Sequence, residues 1–142
     1  MSMSFRIRKY ALTGLSLGVL IFAGAASVRG QDAWACESLH EAAFLDEPDE
    51  VRDALAHGVD VECKDVLGQT ALVTAVNGAS IGSFDVLISA GAEVNVRTEY
   101  GNSLLQHTKR KFRSVDQQKG MEQYRNLFQT MIVRLQTAGA DN

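Results

Sequence analysis

Asp65-Val66-Leu67-Gly68-Gln69-Thr70-Ala71-Leu72 decides the fold, because its outline returns 33 residues later. Gly68 is matched by Gly101, Thr70 by Ser103 and Leu72 by Leu105, and Gly58 and Gly91 share the same separation. Backwards from Leu72 the period meets Leu39, followed by His40, Ala42 and Ala43. Forwards from Gly91 the matching Ala138-Gly139-Ala140 arrives after 48 residues, so the third unit carries 15 extra. A period of this length marks a stack of small units rather than one globular core, and such stacks generally bind other proteins.

Within a unit the order is turn, short helix, loop, short helix, glycine and extended segment. Leu39, Ala42, Ala43 and Leu45 predict a short helix that Asp46-Glu47-Pro48-Asp49 stops. Asp49 is placed to cap the next helix, with Arg52 as an exposed ion-pair partner, and Val51, Ala54 and Leu55 recur at helical spacing until Gly58. Val59-Asp60-Val61-Glu62-Cys63 alternates like an extended segment, as does Ala92-Glu93-Val94-Asn95-Val96. Thr70 is expected to cap a helix built on Leu72, Ala75 and Val76, which Asn77-Gly78-Ala79-Ser80 breaks. Phe84, Leu87 and Ile88 make the return helix, closed by Gly91.

The first thirty residues read as a signal peptide. Arg6, Arg8 and Lys9 precede the uncharged, mostly apolar run Ala11 to Ala26, and small residues follow. Candidate cleavage points lie after Ser27, Gly30 or Ala35, between residues 27 and 36. An uncleaved membrane anchor is the alternative, although 16 residues fall short of the roughly 20 a spanning helix prefers. Export, to the periplasm, is the expectation. Residues 1–30 hold four basic and no acidic residues, so the remainder has ten basic against seventeen acidic residues, a net charge of −7. That balance argues against nucleic acid and favours a basic partner surface. Two cysteines, Cys36 and Cys63, remain. An even count in an oxidising compartment suggests a disulfide, and two unpaired small core residues are the alternative.

The pattern resembles the ankyrin repeat. Its hallmarks appear as Asp65…Gly68-Gln69-Thr70-Ala71-Leu72, as Ser38-Leu39-His40-Glu41-Ala42-Ala43, and as Val86-Leu87-Ile88-Ser89-Ala90-Gly91-Ala92-Glu93-Val94-Asn95. Ala71 replaces the usual Pro, and Val73 and Gln106 replace the usual His. The resemblance implies an all-α solenoid of about three repeats over residues 35–142, with units near 35–63, 64–96 and 97–142 and the last lengthened by the 15-residue insertion. It also implies a structural role for His40 and a Cys36–Cys63 disulfide between neighbouring fingers. Ankyrin repeats bind through finger tips and the concave face of the first helices. The corresponding candidates are Lys64, Asp65, Leu67, Gln69, Glu99, Tyr100 and Asn102 at the tips, and Phe44, Thr74 and Asn77 on the helices.

Inside the third unit the chain turns basic at Lys109-Arg110-Lys111-Phe112-Arg113. Met121, Tyr124, Phe128, Met131, Leu135 and Ala138 then form one apolar stripe at helical spacing. One or both helices of this unit are expected to be lengthened around a reshaped loop. The stripe predicts a cap over the end of the stack, or a protruding helix that grips a partner, with Arg110 and Phe112 as further contact candidates.

No His-x-x-x-His pair, paired-Cys motif, phosphate loop or nucleophile elbow is present, so neither an enzyme nor a cofactor or metal is expected. The sequence thus points to a monomeric, exported module that binds another protein and, once its leader is cleaved, has no stable membrane insertion. An immunity-type inhibitor of a toxin and a membrane-tethered assembly factor are the narrower alternatives.

Overall fold

The computed structural model describes residues 27–142, with side chains from Cys36 onward. Most of the expected leader, residues 1–26, lies outside the described residues. The described residues are all-helical: α1 Ser27–Leu45, α2 Pro48–Ala56, α3 Ala71–Gly78, α4 Ile81–Ser89, α5 Leu104–Asp116 and α6 Glu122–Thr137. Among the described residues there is no strand, only two isolated antiparallel bridges, Lys64–Thr70 and Arg97–Ser103, themselves 33 residues apart.

Helices pair within each turn of sequence, α1 with α2, α3 with α4 and α5 with α6, while α1 also packs on α3 and α2 on α4. Leu39, Ala43, Val51, Leu72, Val76, Phe84, Leu87, Leu104, Leu105, Met131 and Leu135 form one continuous buried cluster. The helix ends repeat in detail. Gly58, Gly91 and Gly139 have φ of 91°, 87° and 88°. Around them the bonds Val59 N to Ala54 O, Ala92 N to Leu87 O and Ala140 N to Leu135 O close the same left-handed terminus at 3.2, 3.0 and 2.9 Å. The loops that follow are tied alike. Glu62 Oε1 accepts from Glu93 N at 2.7 Å, and Asn95 Oδ1 accepts from Asp141 N at 2.8 Å. Glu62 and Asn95 are 33 residues apart and Glu93 and Asp141 are 48, so the structural spacing follows the glycines.

The extra residues of the last unit lengthen both helices. α5 has five residues more than α3, α6 seven more than α4, and the connection three more. On α6 the stripe divides: Phe128, Met131 and Leu135 are buried together with Ile132, whereas Tyr124 and Ala138 are exposed and Met121 is half-buried. The C-terminal half therefore covers the core, and the N-terminal half overhangs it.

Four local expectations are corrected. The first helix begins at Ser27, well before Leu39, and so includes Cys36. Pro48 opens α2 behind Glu47, and Asp49 lies in its first turn, paired with Arg52 at 2.5 Å; proline suits this position because its missing N–H would be unsatisfied there. Thr70 occupies the N-cap of α3 without a side-chain cap bond, and its buried hydroxyl has no partner. Neither alternating segment is extended throughout, since residues 61–62 form a turn and residues 94–95 a bend. Local bonds from Glu62 N to Asp60 Oδ1 (2.9 Å) and Asn95 N to Glu93 Oε1 (2.8 Å) fold them instead, and the alternation records Val59, Val61, Ala92 and Val94 tucking against the core.

The junction of α1 with α4 is polar and closely fitted. Ser80 Oγ donates to Phe44 O at 2.7 Å, a carbonyl in the last turn of α1, and Ser83 Oγ donates to Ala42 O at 3.2 Å beside the bond that carbonyl accepts from Glu47 N at 3.0 Å. Asp46, in the left-handed region at φ 57°, accepts from Ser83 N at 2.9 Å and so caps the first turn of α4.

Candidate binding surface

The two equivalent turns are closed by their own backbone. Asp65 and Gln69 exchange the bond Asp65 N to Gln69 O at 3.0 Å, and Thr98 and Asn102 the bond Thr98 N to Asn102 O at 2.9 Å. Asp65 adds a carboxylate oxygen that accepts from Leu67 N at 2.8 Å and Gln69 N at 2.9 Å. The turns hold apolar side chains out in water: Val66 is 101% exposed, Leu67 59% and Tyr100 72%. Phe44, at the end of α1, is 51% exposed. Next to Tyr100, Glu99 accepts its phenol and repels the phenolate, which raises the Tyr100 pKa.

The second turn has a bond from Arg97 Nη1 to Gly101 O at 2.8 Å but lacks the side-chain acceptor of the first. Thr98 stands where Asp65 stands, and its buried hydroxyl has no partner. Thr98→Asp should supply the two missing N–H acceptors and stabilise the fold by about 1 kcal/mol. Urea denaturation checks this, with an increased midpoint at unchanged slope as the expected result.

The predicted contact residues separate into two groups. Lys64, Leu67, Glu99, Tyr100, Phe44 and Arg110 are exposed. The others belong more to the framework. Gln69 is buried and accepts from Asn77 Nδ2 at 3.2 Å. Asn77, half-buried, also accepts from His107 Nε2 at 2.8 Å through Oδ1 and from Lys111 Nζ at 3.3 Å through its backbone carbonyl. Thr74 bonds His40, Asp65 closes its turn, and Asn102 Oδ1 accepts from Arg110 Nη2 at 3.1 Å. Phe112 is half-buried against the core. Within the basic cluster, Lys111 lies 6.0 Å from the centre of the Phe128 ring, and burial lowers its pKa.

His107 links α5 to α3 through Asn77, and its Nδ1 is buried without a partner. Burial, then Lys111 and Arg110, lower its pKa, with Glu99 opposing. The folded state therefore binds this proton less readily than the unfolded chain. The contribution of His107 is intact above its unfolded pKa near 6.5 and is lost as pH falls from there through the lowered folded value. His107→Gln should flatten the decline in melting temperature below about pH 7, measured against the parent chain in parallel thermal melts.

A second cluster lies where α1 packs on α3. Cys36 and Cys63 are joined as a disulfide with a Cα–Cα distance of 6.0 Å, within the usual range. The pairing is the expected one, but the bond runs from within α1 to the loop after α2 rather than between two fingers. Beside it His40 is buried, with Nδ1 2.9 Å from Thr74 Oγ1 and Nε2 3.1 Å from Cys63 O. The donor atoms of Cys36, His40 and Cys63 all lie within 4.8 Å of one another. The sequence reading missed this trio because Cys63 reaches it only through the packing of α1 on the loop. The Cys36–His40 spacing of four on one helix face was the available signal.

The charge is unevenly distributed. Between Glu37 and Asp65 there are ten acidic and two basic residues, and between Arg97 and Arg134 eight basic and three acidic. Glu41, Glu47, Glu50 and Asp53 line an open groove of about 420 Å³ between α1 and α2, with His57 at its edge. No family model matches the chain.

Proposed function

We propose that this chain is an exported ankyrin-type repeat protein that acts without catalysis, by binding another protein through its two turns and the adjoining ends of the helices. The observation that carries the reading is the exposure of Val66, Leu67 and Tyr100 on the two equivalent turns. Three apolar or aromatic side chains stand in solvent on turns closed by hydrogen bonds, so little conformational entropy would be lost on contact. Tyrosine and other aromatic residues are enriched in the cores of protein interfaces. The repeated helix ends and the Glu62–Glu93 and Asn95–Asp141 ties support the repeat assignment, since each joins consecutive units in the same way.

The test is affinity purification from the exported fraction with the parent chain and with a Leu67→Ala/Tyr100→Ala double variant. Both side chains are exposed, so the melting temperature should stay within about 2 °C. Capture of the specific partner should fall at least tenfold, and equal capture by both proteins would refute the reading.

The acidic surface of α1 and α2 supports the narrower possibility of an immunity-type inhibitor, because it would steer a basic toxin toward the protein. Its association rate should then fall steeply with salt. As for a membrane tether, none of the described helices is long and apolar enough to cross a membrane, and the run Ala11 to Ala26 lies outside the described residues. Sequencing of the mature N-terminus decides between a cleaved leader and a retained anchor.

A further inference from the structure

We propose that Cys36, His40 and Cys63 form a metal site in the thiol form of the protein, taking one zinc-like divalent cation, so that the disulfide and the ion are alternative occupants of the same two sulfurs. The ligand set is two thiolates and one imidazole, which suits zinc and leaves a fourth position for water. Cys36 and His40 lie one helical turn apart on the same face of α1, and the loop after α2 brings Cys63 to them. Tetrahedral zinc with two sulfur ligands and one nitrogen ligand requires donor separations of about 3.5–3.8 Å from the usual bond lengths. The three donors already lie within 4.8 Å of one another, so opening the disulfide and a small shift of each group suffices.

The surroundings of His40 fit the role. A metal-bound imidazole needs one nitrogen for the ion and a hydrogen-bond acceptor for the N–H on the other. Cys63 O, 3.1 Å from Nε2, can only accept, so it holds the N–H on Nε2 and leaves the Nδ1 lone pair, now 2.9 Å from Thr74 Oγ1, for the ion. When Thr74 is released, its hydroxyl retains Thr70 O at 3.3 Å. Both sulfurs belong to half-buried residues, which leaves a path for the ion and for a water ligand. The acidic surface from Glu37 to Glu62 raises the local cation concentration.

Conversion needs a dithiol reductant. One thiolate of the dithiol attacks a sulfur of the Cys36–Cys63 bond to give a mixed disulfide, and its second thiolate displaces the protein sulfur. Two electrons pass to the protein, leaving two thiols and an oxidised dithiol. Binding of the divalent ion then releases the two thiol protons.

The experiment uses the full chain, reduced with dithiothreitol, freed of reductant under nitrogen and titrated with Co²⁺ as an optical probe. The expected result is one Co²⁺ per chain, with a thiolate-to-cobalt charge-transfer band that Zn²⁺ abolishes. The band should be absent from the oxidised protein, Cys36→Ser and Cys63→Ser. His40→Gln and His40→Asn should each weaken Co²⁺ binding at least tenfold. Circular dichroism of both histidine variants in the oxidised state shows which of them folds, and only folded variants are compared. Overturning results are no charge-transfer band in the reduced protein or unchanged affinity in a folded His40 variant. A reduced chain that is unfolded and gains no helix with Co²⁺ overturns the proposal as well.

Discussion

Gly78→Ala is expected to destabilise the fold by about 3 kcal/mol, lowering the melting temperature by roughly 10–20 °C for a domain of this size. A Cβ at this position would stand 2.3 Å from Phe44 O and 2.6 Å from Ser80 Oγ. The first contact is with backbone, a carbonyl held in place by the last turn of α1. Relief would require α3 to move away from the end of α1, opening the buried contact of Leu39, Ala43, Leu72 and Val76. Adding Ser80→Ala removes the second clash and leaves the first, so the double variant should not recover. Thermal melts of the single and double variants check this. A melting temperature within about 2 °C of the parent would mean that α1 and α3 are not held this closely.

Loss of the Cys36–Cys63 bond carries the second large effect. The bond closes 27 residues of chain, and the loop-entropy estimate gives about 3–4 kcal/mol of stabilisation. Cys36→Ser/Cys63→Ser should therefore melt roughly 12–25 °C below the oxidised parent, and reduction in the presence of a chelator should reproduce the loss. The bond ties the loop after α2 to α1, so hydrogen exchange should rise first in α2 and that loop. Equal melting of the oxidised and reduced proteins, with two free thiols titrated in the reduced sample, would refute this.

Much of the local structure could be read from residue types and spacing. Gly58 and Gly91 sit at helix ends in the left-handed region, as their position after an apolar helical run predicts. The 15 extra residues before Gly139 lie in a longer helix pair. The alternation in Val59–Cys63 suggests an extended segment, but a period of two reports only that every second side chain is buried. Without a partner strand, that burial does not produce a sheet.

Gly78 shows where such reading stops. In sequence it belongs to a helix-breaking run, yet it is the last residue of α3, and Ala79 takes the left-handed conformation at φ 55°. The glycine is needed for the carbonyl of Phe44, 34 positions earlier. Asp46 likewise resembles a residue that stops its own helix, but its carboxylate caps α4 through Ser83 N. Asn77 and Gln69, read as surface contacts, turn inward to join α3 to its turn and to α5.

The sequence by itself determined the helical units, the glycine-closed ends at Gly58, Gly91 and Gly139, and the place of the insertion. Each of these depends on interactions within a few residues and so leaves a local pattern or a period. The tertiary structure alone decided which polar groups meet across units, including the Ser80 and Ser83 bonds to α1, the His107–Asn77 link and the cluster of Cys36, His40 and Cys63. A hydroxyl, amide or ring nitrogen can bond many partners, and only the packing of one helix on another selects among them.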